Sequence, residues 1–231
     1  MKQFATALLI LITLTVSAQT RIKASDIIKQ INDGKPVQYS NVEIEGDLDL
    51  TDIASRDQKR SGSVFDHSET YESYVASSLS FTNCTFLGDV LAYYNIERRD
   101  ETYIAHFEKD VIFKNCVFRR ASEFKYSEFN GIAQFEGTTF NNVANFKYAE
   151  FSGGPNFSNV KFDDGADFKY TDFPRGTTFE KATFRGLANF KYSKFRTPLN
   201  VTGVAFRGDE DFKYTRVDGR SFTSYLLSER D

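Results

Sequence analysis

The spacing of one residue type constrains this chain more than anything else in it. From residue 113 onward, large apolar residues fall at 113, 118, 124, 129, 135, 140, 146, 151, 157, 162, 168, 173, 179, 184, 190, 195, 201, 206, 212 and 217, and the intervals alternate five and six without a break. Eighteen of these twenty positions are Phe; the exceptions are Val201 and Val217. A helix repeats its buried face near 3.6 residues and a strand at 2, so neither accounts for the pattern by itself. A longer period is superposed: Phe-Lys-Tyr recurs at Phe124, Phe146, Phe168, Phe190 and Phe212, a constant 22-residue step. Two intervals of five and two of six close one such period. The simplest geometry is a four-sided coil with one Phe per side pointing inward.

A second column supports this. Two positions before the Phe sits a small residue: Ser122, Ser127, Ala133, Thr138, Ala144, Ala149, Ala166, Thr171, Thr177, Ala182, Ala188, Ser193. Only a small side chain fits beside a Phe at an inward-facing corner. Pro155, Val160, Leu199, Val204 and Glu210 depart from the rule, partly toward the C-terminus, where the last coil is expected to be remodelled. The units Ala-Asn-Phe-Lys-Tyr (144–148), Ala-Asp-Phe-Lys-Tyr (166–170) and Ala-Asn-Phe-Lys-Tyr (188–192) resemble the pentapeptide-repeat family in its Phe-centred form, as a secreted bacterial member. The resemblance covers 111–217. It implies an all-β solenoid, a right-handed quadrilateral β-helix, here with 22-residue coils because alternate sides carry one extra residue. That extra residue is expected to loosen two of the corners.

The N-terminal half carries the rhythm interrupted. Val37, Val42, Leu48 and Ile53 are spaced five, six, five, as the Phe positions are. Residues 80–86 (Ser-Phe-Thr-Asn-Cys-Thr-Phe) echo 112–118 (Ile-Phe-Lys-Asn-Cys-Val-Phe) at a separation of 32, one coil plus ten residues. Two insertions follow. The first, about 54–78, reads as a protruding polar loop in preference to a degenerate coil with Lys59, Val64, Thr70 and Val75 inward. The second, about 87–109, reads as a β-hairpin, with Val90 to Asn95 and Thr102 to Phe107 flanking Arg98-Arg99-Asp100-Glu101. A solenoid's open ends need caps. Segment 25–34 is assigned as a short N-terminal capping helix, with Ser25 capping 26–33, Ile27, Ile28 and Ile31 on one face, and Gly34 and Pro36 ending it. Residues 218–231, with Phe222, Tyr225, Leu226 and Leu227, close the other end.

The first residues read as an address. Lys2, the apolar run Phe4 to Val16 and Val16-Ser17-Ala18 form the three parts of a secretory signal peptide over 1–18, cut near Ala18. The run is shorter than the ~20 residues a membrane span needs. The expectation is one extracytoplasmic domain over 19–231, periplasmic or secreted, with no transmembrane segment in the mature chain. The net charge of -3 argues against a nucleic-acid binder held by bulk positive charge. Some pentapeptide-repeat proteins resemble DNA and inhibit topoisomerases, but those are cytoplasmic and markedly acidic.

No Gly-rich phosphate loop, nucleophile elbow, paired zinc motif or triad order is present, so no catalytic, cofactor or metal residue is assigned. Cys84 and Cys116, each two before a Phe, read either as small buried hydrophobes or as a disulfide between adjacent coils, which an oxidising compartment permits. Partner contact is assigned to the insertions, which hold His67, His106, Tyr71, Tyr74, Tyr93, Tyr94 and Tyr103, because loops on a rigid scaffold are where binding resides. The alternative is an outward strip of Lys125, Lys147, Lys169, Lys191 and Lys213 beside Tyr126, Tyr148, Tyr170, Tyr192 and Tyr214; read as plain surface, its charges are offset by Glu123, Asp167 and Asp211. The chain thus reads as a non-enzymatic scaffold or binding module for a protein or a glycan, its oligomeric state open. The rival is a carbohydrate-active enzyme or glycan binder using acids of the insertions. What separates them is whether carboxylates from both insertions converge in a cleft.

Overall fold

The computed structural model describes residues 19–60 and 69–228; the leader, Val64 and His67 lie outside them. Parallel strands, most only two residues long, stack into ladders, as a β-helix solenoid requires. One eight-stranded ladder runs from Thr20–Lys23 to Ala205–Phe206, and a seven-stranded one from Leu48–Asp49 to Glu210–Asp211. A ten-stranded sheet carries the strands that end at Phe107, Phe129, Phe151, Phe173, Phe195 and Val217. The fourth ladder is interrupted: Val37–Ser40, Leu79–Thr82, Val111–Lys114 and Ala133–Gln134 form one piece, Thr177–Thr178 with Leu199–Asn200 another, joined by single bridges through Asn156. Pro155 stands at the break and has no N–H to give the ladder.

Among the regular coils, paired strands keep the 22-residue step of the sequence. Ser122 pairs with Ala144, Ala144 with Ala166 and Ala166 with Ala188; Thr139 pairs with Lys161. This register stacks the Phe rings along the axis. Phe124–Phe146, Phe146–Phe168 and Phe168–Phe190 have centroids 5.0, 5.1 and 4.9 Å apart with nearly parallel planes. Across the interior the rings meet edge to face, as Phe146 meets Phe157 at 5.4 Å and 84°. The twelve small residues are all buried beside them. Several do more than save space. The hydroxyls of Thr138, Thr171, Ser193 and Thr215 donate to the carbonyls of Phe113, Phe146, Phe168 and Phe190 on the neighbouring coil.

The two interval lengths turn differently. Each of the ten five-residue intervals passes through one left-handed residue two after its first: Asn115, Tyr126, Gly137, Tyr148, Asn159, Tyr170, Lys181, Tyr192, Gly203 and Tyr214, with φ between 51° and 69°. Among the six-residue intervals only Gly176 has a positive φ. The extra residue therefore does not simply loosen a corner; it lets the chain turn without entering the left-handed region. Gly and Asn tolerate that region, whereas a larger L-residue there costs roughly 1–2 kcal/mol.

The N-terminal half departs from expectation in two ways. Val37 pairs with Leu79 and Leu48 with Val90, so both lie in the column two before the Phe; Val42 aligns with Cys84 in that same column. The Phe places are taken by Tyr39, opposite Phe81, by Ile44, opposite Phe86, and by Leu50. Both inward columns share the five–six rhythm, so spacing alone could not say which one it marked. The 54–78 segment, expected as a loop, is also a hairpin: Asp57–Arg60 runs antiparallel to Glu69–Val75. Glu69–Val75 in turn runs parallel to Glu101–Phe107 over seven residues, and Tyr93–Ile96 antiparallel to Glu101–Phe107. The two insertions therefore form one wing of the ten-stranded sheet. Its strands extend past the Phe core, so both faces are polar and the composition imitates a loop.

Helix α1 spans Ala24–Asn32, with Ile27 and Ile31 buried. Its N-cap is Lys23, without a side-chain cap bond, so Ser25 is not the cap. The helix start is set instead by the strand Thr20–Lys23, which pairs with Val42–Glu45. At the other end, helix α2 (Phe222–Ser228) lays Phe222 on Phe195 at 5.1 Å, and the Tyr225 hydroxyl donates to the Leu199 carbonyl.

Cys84 and Cys116 sit at aligned positions of adjacent coils, both buried and both free, so the bridged alternative is not what the structure holds. Their sulfurs lie 3.4 Å from the carbonyls of Thr82 and Phe81. A hydrogen bond with Cys84, and then burial, push the Cys116 thiol up, which disfavours the reactive thiolate.

Candidate binding groove

The strip of five tyrosines is a single stack. Centroids from Tyr126 through Tyr214 are 4.9, 4.7, 4.8 and 4.9 Å apart, and the planes lie within 18° of parallel. The strand pitch of about 4.8 Å imposes this spacing. Ring pairing at ~0.5–1.5 kcal/mol per pair offsets the left-handed backbone each Tyr adopts. The five lysines place Nζ 4.8–5.5 Å from the centroid of the following Tyr. They are not offset by the expected acids through ion pairs. Glu123 accepts from Asn145, while Asp167 and Asp211 accept the backbone N–H groups of Lys169 and Lys213. Because the rings stack face on face, the strip shows edges and hydroxyls to solvent.

Beyond this stack, on the next outward position, lies a charged column in strand register: Glu128, Glu150, Asp172, Lys194 and Arg216. Between the two runs a groove of about 700 Å³, with Tyr126, Tyr148, Tyr170 and Tyr192 on one wall and Glu128, Glu150, Asp172 and Lys194 on the other. Glu72, Ile104 and His106 of the wing line it as well.

His106 is the buried polar group of that end, 5% exposed, with its ring 5.5 Å from that of Tyr74. The backbone N–H of Glu128 donates to Nδ1 at 3.3 Å, which assigns the neutral ring's proton to Nε2. Nε2 has no hydrogen-bond partner and stands 3.7 Å from Oε2 of Glu72.

The insertion residues divide between the wing's two faces. Tyr71, Tyr94 and Tyr103 stack on one face, with centroids 4.7 and 4.5 Å apart. There Tyr71 donates to Glu69 and Tyr103 to Glu101. Burial, and then that bond, push the Tyr103 hydroxyl up to about 12. Tyr93 continues the strip instead: its ring is 5.8 Å from Tyr126, and Lys125 Nζ donates to its hydroxyl at 3.0 Å. The insertion patch and the Lys–Tyr strip, set against each other in the sequence, are thus joined through Tyr93 and His106. Glu69 and Glu101 are register partners, but neither lines the groove; of the wing's acids Glu72 does.

The sequence reading missed Glu72, Ile104 and the column from Glu128 to Arg216. The signal was present: each member of the column immediately precedes a residue of the apolar rhythm, at 22-residue spacing. Among the described residues no group of three or more His, Cys, Asp or Glu could hold a metal ion, and no helix is long and apolar enough to cross a membrane.

The family model described as pentapeptide repeats (9 copies) matches residues 105–150, 124–172 and 146–194. Residues 105–194 are pentapeptide repeats. No curated protein matches the chain, and no solved structure does. The repeats supply both long walls of the groove, from His106 to Lys194, while Glu72 and Ile104 come from outside the matched span.

Proposed function

We propose that this pentapeptide-repeat protein is an extracytoplasmic, non-enzymatic scaffold whose groove is a protein-binding surface. Its coils are read as right-handed and four-sided with a 22-residue period, a rigid rod that holds the groove walls in place. The observation that carries the reading is the groove itself, in which repeat residues Tyr126 to Tyr192 and wing residues Glu72, Ile104 and His106 meet. A non-enzymatic role fits the engagement of the wing's acids: Glu69, Glu72 and Glu101 each accept a hydroxyl from the Tyr two residues on. A protein partner fits better than a glycan, because stacked rings offer edges and hydroxyls where a sugar would need open aromatic faces. The leader over 1–18 supports export, and mature protein recovered outside the cytoplasm is expected to begin at Gln19 by N-terminal sequencing.

The test is capture of partners from periplasm or culture medium by the mature protein. Tyr148→Ala/Tyr170→Ala should lose the captured protein while keeping the wild-type circular dichroism spectrum. Shortening the hairpin between Tyr93 and Tyr103 to a two-residue turn should weaken capture and leave the coils folded. Unchanged capture by both variants would sink the reading.

A further inference from the structure

We infer that the groove face is self-complementary and that two copies of this chain pair on it antiparallel. This rests on the reading of the groove as the binding surface, and it names the occupant as a second copy.

The charged column changes sign once along its length. Glu128, Glu150 and Asp172 are acidic, Lys194 and Arg216 basic, and all five are exposed on successive strands about 4.8 Å apart. Among the five, Asp172 and Lys194 pair at 3.6 Å, where the sign changes, with side chains 63% and 69% exposed; at the acidic end Glu128 Oε2 stands 3.9 Å from Nδ1 of His106. Elsewhere like charges are direct neighbours, Glu128 beside Glu150 beside Asp172, and Lys194 beside Arg216. Such neighbours are unfavourable on a sheet, and opposite charges delivered at the same step relieve them.

A second copy delivers that step without any adjustment. A two-fold axis in the plane of the face, perpendicular to the solenoid, sets each column against itself in reversed order. With the axis between the Asp172 and Lys194 rungs, Asp172 meets Lys194 of the second copy and Glu150 meets its Arg216. Each pair occurs twice. A parallel arrangement would set acid on acid and base on base. The neighbouring outward column, with Ser152, Pro174, Arg196 and Asp218, opposes Pro174 to Arg196 and Ser152 to Asp218 about the same axis, so no like charges meet there. On the other side tyrosine edges face tyrosine edges. The lysines of the strip do not line the groove. The face is narrow, so the pairing belongs to the small, transient class of interface, and exposed ion pairs make it sensitive to salt.

Sedimentation velocity on the mature chain from about 10 µM to about 1 mM spans the range in which such interfaces dissociate. The wild type should gain mass with concentration at low salt and lose the gain in about 0.5 M salt. Glu150→Lys/Asp172→Lys and Lys194→Glu/Arg216→Glu should each weaken association by about tenfold or more. Mixing these two variants, or combining all four substitutions in one chain, should restore it, since either arrangement re-creates opposite charges at every paired rung. A wild type that stays monomeric, or two double variants that each associate as it does, overturns the inference. If self-pairing fails while Tyr148→Ala/Tyr170→Ala still loses its captured protein, the occupant is another protein and the groove reading stands. If charged and aromatic variants match the wild type in both assays, both readings fall.

Discussion

Two aromatic ladders run along the coils at nearly the same pitch, phenylalanine inside and tyrosine outside. Phe146 and Phe168 are 5.1 Å apart, and Tyr148 and Tyr170, two residues on, are 4.7 Å apart. The shared spacing comes from the strands, not from the rings. What differs is everything around the rings. Phe168 is fully buried and also meets Phe157, Phe162 and Phe179 at steep angles, whereas Tyr170 is 38% exposed and its backbone has φ 62°. Stacking geometry alone therefore says little about stability. The inner ladder holds the fold through burial and cross-contacts, and the outer one shapes a surface.

The largest expected effect tests that contrast directly. Phe168→Ala should cost about 3–5 kcal/mol, the range for a large core side chain lost from a close-packed site. Tyr170→Ala, which loses two ring pairs on an exposed face, should cost less, about 1–2 kcal/mol. Equal losses in urea denaturation would erase the distinction between the ladders. A sharper comparison exploits the backbone. Tyr170→Val places a β-branched residue in the left-handed region, at a cost of roughly 1–2 kcal/mol, while Tyr170→Gly removes that cost. The glycine variant should have the higher urea midpoint. At Phe168 the order should reverse, with Phe168→Val the milder change, because there only buried volume matters.

The smallest effect lies in the wing, where the tyrosines differ again from those of the strip. The Tyr103 hydroxyl is pushed up to about 12, by burial first and the bond to Glu101 second. An unfolded tyrosine ionises near pH 10. The folded state thus keeps a proton that the unfolded state has lost, and stability should fall as pH rises between those two values. Tyr103→Phe removes the titrating group. Its melting temperature should decline less than that of the wild type across this window, and parallel declines would assign the alkaline loss to other groups.

The contrast extends to how much could be read in advance. The Phe column, the small column and the existence of two interruptions were legible because burial is periodic in the chain itself. The insertion lengths were partly legible too: the 32-residue echo between 80–86 and 112–118 appears as the pairing of Phe81 with Phe113. Of the wing, the hairpin of the second insertion was legible, and Tyr93–Ile96 does pair antiparallel with Glu101–Phe107; the strands of the first insertion were not, because strands that extend past a core carry no inward–outward alternation. Half of the groove was visible as the Lys–Tyr strip. The other wall, Glu128 to Arg216, was overlooked because its members differ in kind and sign while keeping one position.

The sequence by itself determined that residues 113–217 coil with Phe inside, since no other arrangement buries a large residue at alternating intervals of five and six. Only the tertiary structure decided which inward column Val37, Val42 and Leu48 occupy, because two columns with the same rhythm are told apart by ladder pairing alone. It likewise decided that His106 lines the groove beside the tyrosine strip and that Tyr93 meets the strip at Tyr126. That meeting depends on the pairing of Glu69–Val75 with Glu101–Phe107 along their whole length, a contact between two separate interruptions of the repeat that no local pattern encodes.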